Sequence, residues 1–342
     1  MGFIGTELIK LLNKSYYRVV VIDNLLEQVH GPNPTSTDEH HSSFEFYNVD
    51  IRDAAGLRPI FNSVKGMDVD FVHLAAETGT HQSLTNITQC FDTNVVGLAT
   101  ILDLLNECAI VPRIVVLTSS RAVYGEGSWE SPTGRHLPAS PRVAMDLDQA
   151  MWEPITADGR GTRPVGVIAG VTPIAPTSLY GVSKYAQEMI LTTWGSLIGV
   201  PLQILRLQNV YGPGQSLRNP YTGVLMHFHK NSRNGVANEV FEGGDIVRDF
   251  VHVRTVVRAI ADALRNSPVS GEIGDVGSGI PTTLLDAARA IAQIYDAPEP
   301  FVSSQYRLGD VRAIFAANPF ADDEEPFHSV QKEIADWIDA QL

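Results

Sequence analysis

Cysteine is almost missing from this chain. Cys90 and Cys108 are the only two in 342 residues. That is too few for a disulfide scaffold, and they stand in no spacing that builds a structural zinc site. Long apolar runs are missing as well: no stretch approaches the ~20 residues that cross a bilayer. No charged segment with a cleavage site heads the chain. Basic clusters are scarce. Lys and Arg number 25 against 39 Asp and Glu, a net charge of −14. With no Lys/Arg block to interrupt it, that balance argues against nucleic acid or an anionic membrane as partner. Disorder is excluded too, because hydrophobic residues make up 44% of the chain and charged residues only 19%. The expected setting is the cytoplasm.

What is present is an alternation. Short β-branched runs at 18–23, 44–51, 69–76, 113–120 and 201–207 alternate with helical patterns over 88–107 and from Ser178 onward. Strands alternating with helices predict an α/β fold of the Rossmann type, a doubly wound parallel sheet with helices on both faces. Residues 126–176 break the rhythm with Gly, Pro, Ser and Thr, and read as an inserted lid or surface excursion. Residues 1–207 are expected to form the first domain, with segments near 245–277 joining it. Residues 208–342 are expected to form a smaller, interleaved C-terminal domain.

The chain opens MGFIGTELIKLL. Gly2 and Gly5 lead into an apolar helix pattern at Phe3, Ile4, Leu8, Leu11 and Leu12. Free N–H groups at such a helix start attract phosphate. Alone the glycine pair is weak, because a plain helix start looks the same. Asp23 strengthens it by ending the next strand about 20 residues on. At that spacing a carboxylate reaches the ribose hydroxyls of a dinucleotide and repels a 2′-phosphate, which favours NAD over NADP. Asp50-Ile51 ends the following strand, where an adenine ring would lie.

The other informative set is Thr118-Ser119-Ser120, Tyr124-Gly125 and the pentapeptide from Tyr180 to Lys184. Residues four apart share one helix face. A lysine ammonium near a phenol favours the phenolate, and an unaided tyrosine ionises only near pH ~10. Ser120, at a strand end, would hold a substrate oxygen. Such a set removes a proton from an alcohol while hydride leaves for a nicotinamide. A solvated helix face would show the same pentapeptide by itself. The Ser-Ser strand end and the glycine turn decide for chemistry.

Taken in order, these motifs resemble the extended short-chain dehydrogenase/reductases, and among them the NAD-dependent nucleotide-sugar epimerase/dehydratase family. The resemblance covers nearly the whole chain except 126–176. It implies that Gly2, Phe3, Ile4, Gly5, Asp23, Asn24, Asp50, Ile51, Leu74, Ala75, Ala76, Asn94 and Ser119 hold NAD, together with Tyr180 and Lys184. It implies Ser120, Tyr180 and Lys184 as the catalytic set. It places Thr78, Ser120, Asn209 and Asn219 near the sugar and Arg248 on the diphosphate. Arg307 and Asp310 fall near the nucleoside ribose, and Phe241 where an aromatic stacks on the base. One departure is informative. The family's dehydratases follow the serine position with an Asp-Glu pair that expels water, whereas here Arg121-Ala122 follows Ser120. That argues against dehydration.

The segments AAETGTHQSL, SSRAVYGEG and QNVYGPGQSLRNPYTGVL are similar to the family's 4-epimerase branch. The resemblance therefore implies an NAD-dependent 4-epimerase of a dTDP- or UDP-linked sugar, working through a transient 4-keto sugar. The alternatives are an NAD(P)-dependent reductase or dehydrogenase of a 4-keto sugar nucleotide, and a non-catalytic member that binds NAD or a sugar nucleotide. A homodimer pairing through 88–107 and 179–197 is expected. No metal is expected: His40-His41 lies in a polar loop, and His227 and His229 are two apart and do not converge on a helix face. His81 reads as a loop cap. Trp129 and Trp152 read as anchors of the insertion. In the family the opening loop follows a buried strand and a further glycine, so the first strand of the sheet is expected to be missing from this chain. On that reading Met1 is an internal methionine, with roughly ten residues ahead of it.

Overall fold

The computed structural model describes residues 2–12, 18–31, 44–80, 82–216, 223–266, 272–319 and 326–340. Met1, His40, His41, His81 and Asn219 lie outside the described residues. The main elements, in chain order, are α1 (Phe3–Leu12), β1 (Val20–Asp23), β2 (Glu45–Asn48), α2 (Ala54–Ser63), β3 (Asp70–His73), α3 (Gly97–Glu107), β4 (Ile114–Ser120), α4 (Leu179–Ile198), β5 (Leu202–Leu207), α5 (Val253–Asn266) and β6 (Glu272–Val276). The first five strands lie inside the predicted runs. Every pairing among these six strands is parallel.

Helices cover both faces. Leu57, Ile60, Leu98, Ile101 and Leu105 of α2 and α3 build one core. Leu8 of α1 with Val256, Ile260 and Leu264 of α5 builds the other. Burial on both faces explains why β4 reads Ile-Val-Val-Leu rather than alternating. The sheet is divided, however. β6, β5, β4 and β3 form one ladder in that order, while among the described residues β1 pairs with β2 alone. No ladder joins β1 to β3 among the described residues, and residues of both strands line one cavity of about 1290 Å³. The parallel strands with helices on both faces agree with the expected Rossmann-type architecture.

The helix expected over 88–107 is interrupted. Ile87–Phe91 and α3 are α-helical, and Asp92–Val96 between them is a π-turn. Such bulges concentrate at functional sites, and this one carries Asn94.

Residues 126–176, read from the sequence as an inserted lid or surface excursion, carry short strands of their own. Ser128–Glu130 pairs antiparallel with both His136–Pro138 and Arg163–Val165, and Ile155–Thr156 pairs with Gly159–Arg160. Strands of two or three residues are too short to show a period. The insertion is fastened by buried charge. Arg142 donates to Glu126 Oε1 at 3.0 Å within it and to Glu242 Oε2 at 2.6 Å beyond it. Trp129 is buried, and Trp152 lies against Tyr306 with ring centres 6.5 Å apart.

Beyond β5, a second sheet joins Asn209–Tyr211, Val247–His252, Pro281–Thr283 and Ala313–Ile314. It encloses its own core around Phe228, Phe250, Ile291 and Ile334. His229 serves that core, with one ring nitrogen against the Tyr295 hydroxyl and the other against Gln331. Among the described residues no helix is long and apolar enough to cross a membrane.

Candidate active site

β4 ends at Ser120, and the chain turns at once into a short 3-10 helix, Arg121–Tyr124. Ser120 Oγ caps that helix by accepting from the Ala122 N–H at 3.1 Å. Gly125 follows with φ +60°, where a Cβ would sit 2.0 Å from the Ala175 carbonyl oxygen, so no other residue fits. α4 begins beside this turn, capped by Ser178 Oγ accepting from the Gly181 N–H at 3.1 Å. Gly181 permits the close approach: a Cβ there would meet the Ala122 carbonyl oxygen at 2.5 Å. The approach brings the Tyr180 phenol to Ser120, whose hydroxyl favours the ionised phenol.

Electrostatics set the two ionisable groups. Burial pushes the Tyr180 phenol up, Ser120 and the charge of Arg121 pull it down, and Cys90 pushes it up. Burial lowers Lys184 to about 7 against the opposing pull of Glu188 and Cys90. Lys184 Nζ donates to Gln187 Oε1 at 2.5 Å. Gln187 Nε2 in turn donates to the Asn94 carbonyl at 2.7 Å and lies 3.1 Å from His73 Nε2. Burial and the charge of Lys184 hold His73 at about 3, so it is neutral. Behind the site, Ser119 Oγ donates to Glu188, which Arg206 grips through Nε and Nη2. Arg206 also donates to the Tyr124 hydroxyl, and that hydroxyl donates to Asp275.

Sequence reasoning missed Gln187, Glu188 and Arg206. A signal for two of them was present, because Gln187 and Glu188 fall three and four residues after Lys184 on the same face.

From Ser120, Tyr180 and Lys184 the cavity continues past Leu74, Ala75, Ala76 and Thr78 to Gly2, Phe3, Ile4, Gly5, Asp23, Asn24 and Ile51. The shape and donors fit a dinucleotide. The start of α1 faces the cavity, and nothing lies within 4 Å of where a Cβ on Gly2 would stand. A carboxylate, Asp23, stands further along the wall, its Oδ1 accepting from the Leu25 N–H at 2.8 Å.

Two expected cofactor residues take other positions. Asp50 is not in the wall: Arg52 and Asn24 bind its carboxylate and hold it well below the usual range. Asn94 is fully buried. It exchanges hydrogen bonds with the backbone of Glu77 and donates to Ser183 Oγ, bracing the loop after β3 against α4.

The expected substrate residues fall into two groups. Thr78, Ser120 and Asn209 line the cavity, and Asn209 Oδ1 accepts from Arg121 Nε at 2.7 Å. Phe241, Arg248, Arg307 and Asp310 do not line it. Arg248 donates to Asp310 Oδ1 at 2.7 Å, and the Arg307 guanidinium lies 5.5 Å from the centre of the Phe241 ring. This second group meets the insertion, since Arg142 donates to the Asp310 carbonyl at 2.7 Å.

Residues 1–147 match the family model described as GDP-mannose 4,6 dehydratase, and residues 156–277 match that of the NAD dependent epimerase/dehydratase family. The chain is 40% identical over 311 residues to the dTDP-L-rhamnose 4-epimerase of Burkholderia thailandensis, covering 91% of this chain and 84% of that one. Its fold is similar to the UDP-glucose 4-epimerase of Thermotoga maritima solved with UDP-glucose, at TM-score 0.74 and 23% identity over 99% of this chain and 96% of that one. It is also similar to the Thermus thermophilus UDP-glucose 4-epimerase solved with NAD, at TM-score 0.73 and 22% identity over 100% and 97% of the two chains. By both family models and by its identity to a full-length relative, the chain belongs to the NAD-dependent epimerase/dehydratase family.

Proposed function

We propose that this protein is an NAD-dependent 4-epimerase of a nucleoside-diphosphate sugar, dTDP- or UDP-linked. One observation carries the reading. Ser120, Tyr180 and Lys184 converge at one part of a cavity whose wall also includes the start of α1 and Asp23. The amides of Gly2 to Gly5 would hold the cofactor's pyrophosphate, Asp23 its ribose hydroxyls, and Leu74 to Ala76 its flank. When bound, NAD accepts hydride from the sugar C4 and returns it. Tyr180 takes the proton of the 4-hydroxyl, and Ser120 holds that oxygen by hydrogen bonding. The Lys184 ammonium favours the ionised phenol once it is released from Gln187. Turning of the 4-keto sugar would present the opposite face of C4 to the returning hydride, and Tyr180 returns its proton to the C4 oxygen, which completes the inversion.

Arg121-Ala122 after Ser120 leaves no carboxylate there to protonate a departing hydroxyl, which favours epimerisation over dehydration. The 40% identity to a named 4-epimerase supports the same choice.

Incubation with UDP- and dTDP-sugars should give inversion at position 4 with no net NADH. Retained configuration with accumulating NADH would point instead to a dehydrogenase. Tyr180→Phe should lower turnover roughly 10²–10⁴-fold while leaving sugar-nucleotide binding intact. We also propose a homodimer. Val96 beside α3 and Val182 and Met189 on α4 are exposed apolar side chains on the two helices expected to pair. Light scattering at the monomer mass across micromolar concentrations would refute it.

A further inference from the structure

We infer that Arg121 supplies the positive charge against which Tyr180 ionises, acting through the phenol as a positioning residue beside Lys184. The inference rests on the proposed role of Tyr180 as base. It starts from an imbalance. The arginines with buried side chains each meet a carboxylate: Arg142 meets Glu126 and Glu242, Arg206 meets Glu188, Arg248 meets Asp310, and Arg312 meets Glu242. Among the described residues, Arg121 has no carboxylate within ion-pair distance. Its one side-chain hydrogen bond runs from Nε to Asn209 Oδ1. Among the described residues that anchor leaves both terminal nitrogens without a hydrogen-bond acceptor, in a residue that lines the cavity with Ser120, Tyr180 and Lys184. A half-buried cation without a direct ion pair is disfavoured, and here only the carboxylates of Asp310 and Asp249, beyond ion-pair distance, offset that. The fold tolerates this one beside a phenol that becomes anionic.

The groups facing Tyr180 come from each element packed against it. Ser120 comes from β4, Arg121 from the 3-10 turn, Cys90 from Ile87–Phe91 and Ser83 from Gln82–Thr85, while Lys184 shares its helix. Burial raises the Cys90 thiol, so it stays neutral. Two cations remain, and Lys184 is bonded to Gln187. Burial and Arg248 lower Arg121 to about 9 against the opposing pull of Asp310, Tyr180 and Asp249, which leaves it cationic at neutral pH. In the forward step the sugar O–H bond breaks and the Tyr180 O–H bond forms. The C4–H electron pair leaves to the bound cofactor, a C4=O bond forms, and the phenolate charge facing Arg121 is discharged.

The test uses Arg121→Gln and Arg121→Lys in the full chain loaded with NAD. Arg121→Met, of similar length, replaces the first if it fails to fold. In Arg121→Gln the alkaline-rising limb of kcat/KM should move up by about one pH unit, with about a tenfold loss at pH 7. Arg121→Lys should keep the limb within a fraction of that shift. An ultraviolet difference titration against Tyr180→Phe, run in both backgrounds, reads the phenol without turnover and should show the same displacement. An unmoved limb and an unmoved titration overturn the inference. So does an unmoved limb with weakened binding of free UDP or dTDP, which would assign Arg121 to the diphosphate. Unimpaired turnover in Tyr180→Phe would refute the proposed base instead, a result distinct from either.

Discussion

Lys184 carries its charge where burial disfavours it. The ammonium is almost fully buried, and its pKa falls to about 7. Below that pH the folded chain bears the whole desolvation penalty. As pH rises above about 7 the folded amine loses its proton before the unfolded one does, and the penalty fades. Lys184→Met should therefore abolish epimerisation yet raise the melting temperature, most at pH ~6 and least at pH ~9, by roughly 2–4 °C for each kcal/mol relieved. Thermal melts across that range check the sign; a variant less stable than the parent at low pH would show that the Gln187 hydrogen bond outweighs the burial. The same residue shows what a sequence discloses. Its spacing from Tyr180 is local, so the pair was legible. Its partner network was not, because His73, Asn94 and Gln187 meet only when β3, the π-turn and α4 are packed together.

The contact between α4 and the Ser120 turn depends on one missing methyl group. Glycine inside a helix ordinarily costs about 1 kcal/mol relative to alanine. Here Gly181→Ala should reverse that sign, losing about 1–3 kcal/mol as the helix is pushed off the Ala122 carbonyl. Turnover should fall further than stability, because Tyr180 moves with the helix. Calorimetry and initial rates on one preparation separate the two effects. The insertion makes a second case. Arg142→Ala takes the ion-pair partner from buried Glu126 and leaves Glu242 with Arg312 alone, and should cost about 3–5 kcal/mol. Limited proteolysis should then cut first within 126–176. The long elements were readable because their periods extend over many residues. The insertion was not, because two- and three-residue strands carry no period and its order comes from ion pairs between residues such as Arg142 and Glu242, a hundred positions apart.

At the scale of the molecule, the gap between β1 and β3 stands out. A parallel strand there, leading into α1 and on to β1, would make the right-handed crossover that such sheets require. A segment of about five Val and Ile residues joined to the N-terminus should enter the gap and raise the melting temperature. An unchanged temperature would show that the two edges cannot accept a strand. Hydrogen exchange should already register the division, with β1 and β2 amides opening at lower free energy than those of β4 and β5. The residues that would hold the cofactor stand on both sides of this seam: Asp23 ends β1, while Ser119 and Ser120 end β4. A dinucleotide bound there would act as a non-covalent cross-link between two cooperative blocks, so that apo protein should melt in two calorimetric transitions and saturated protein in one.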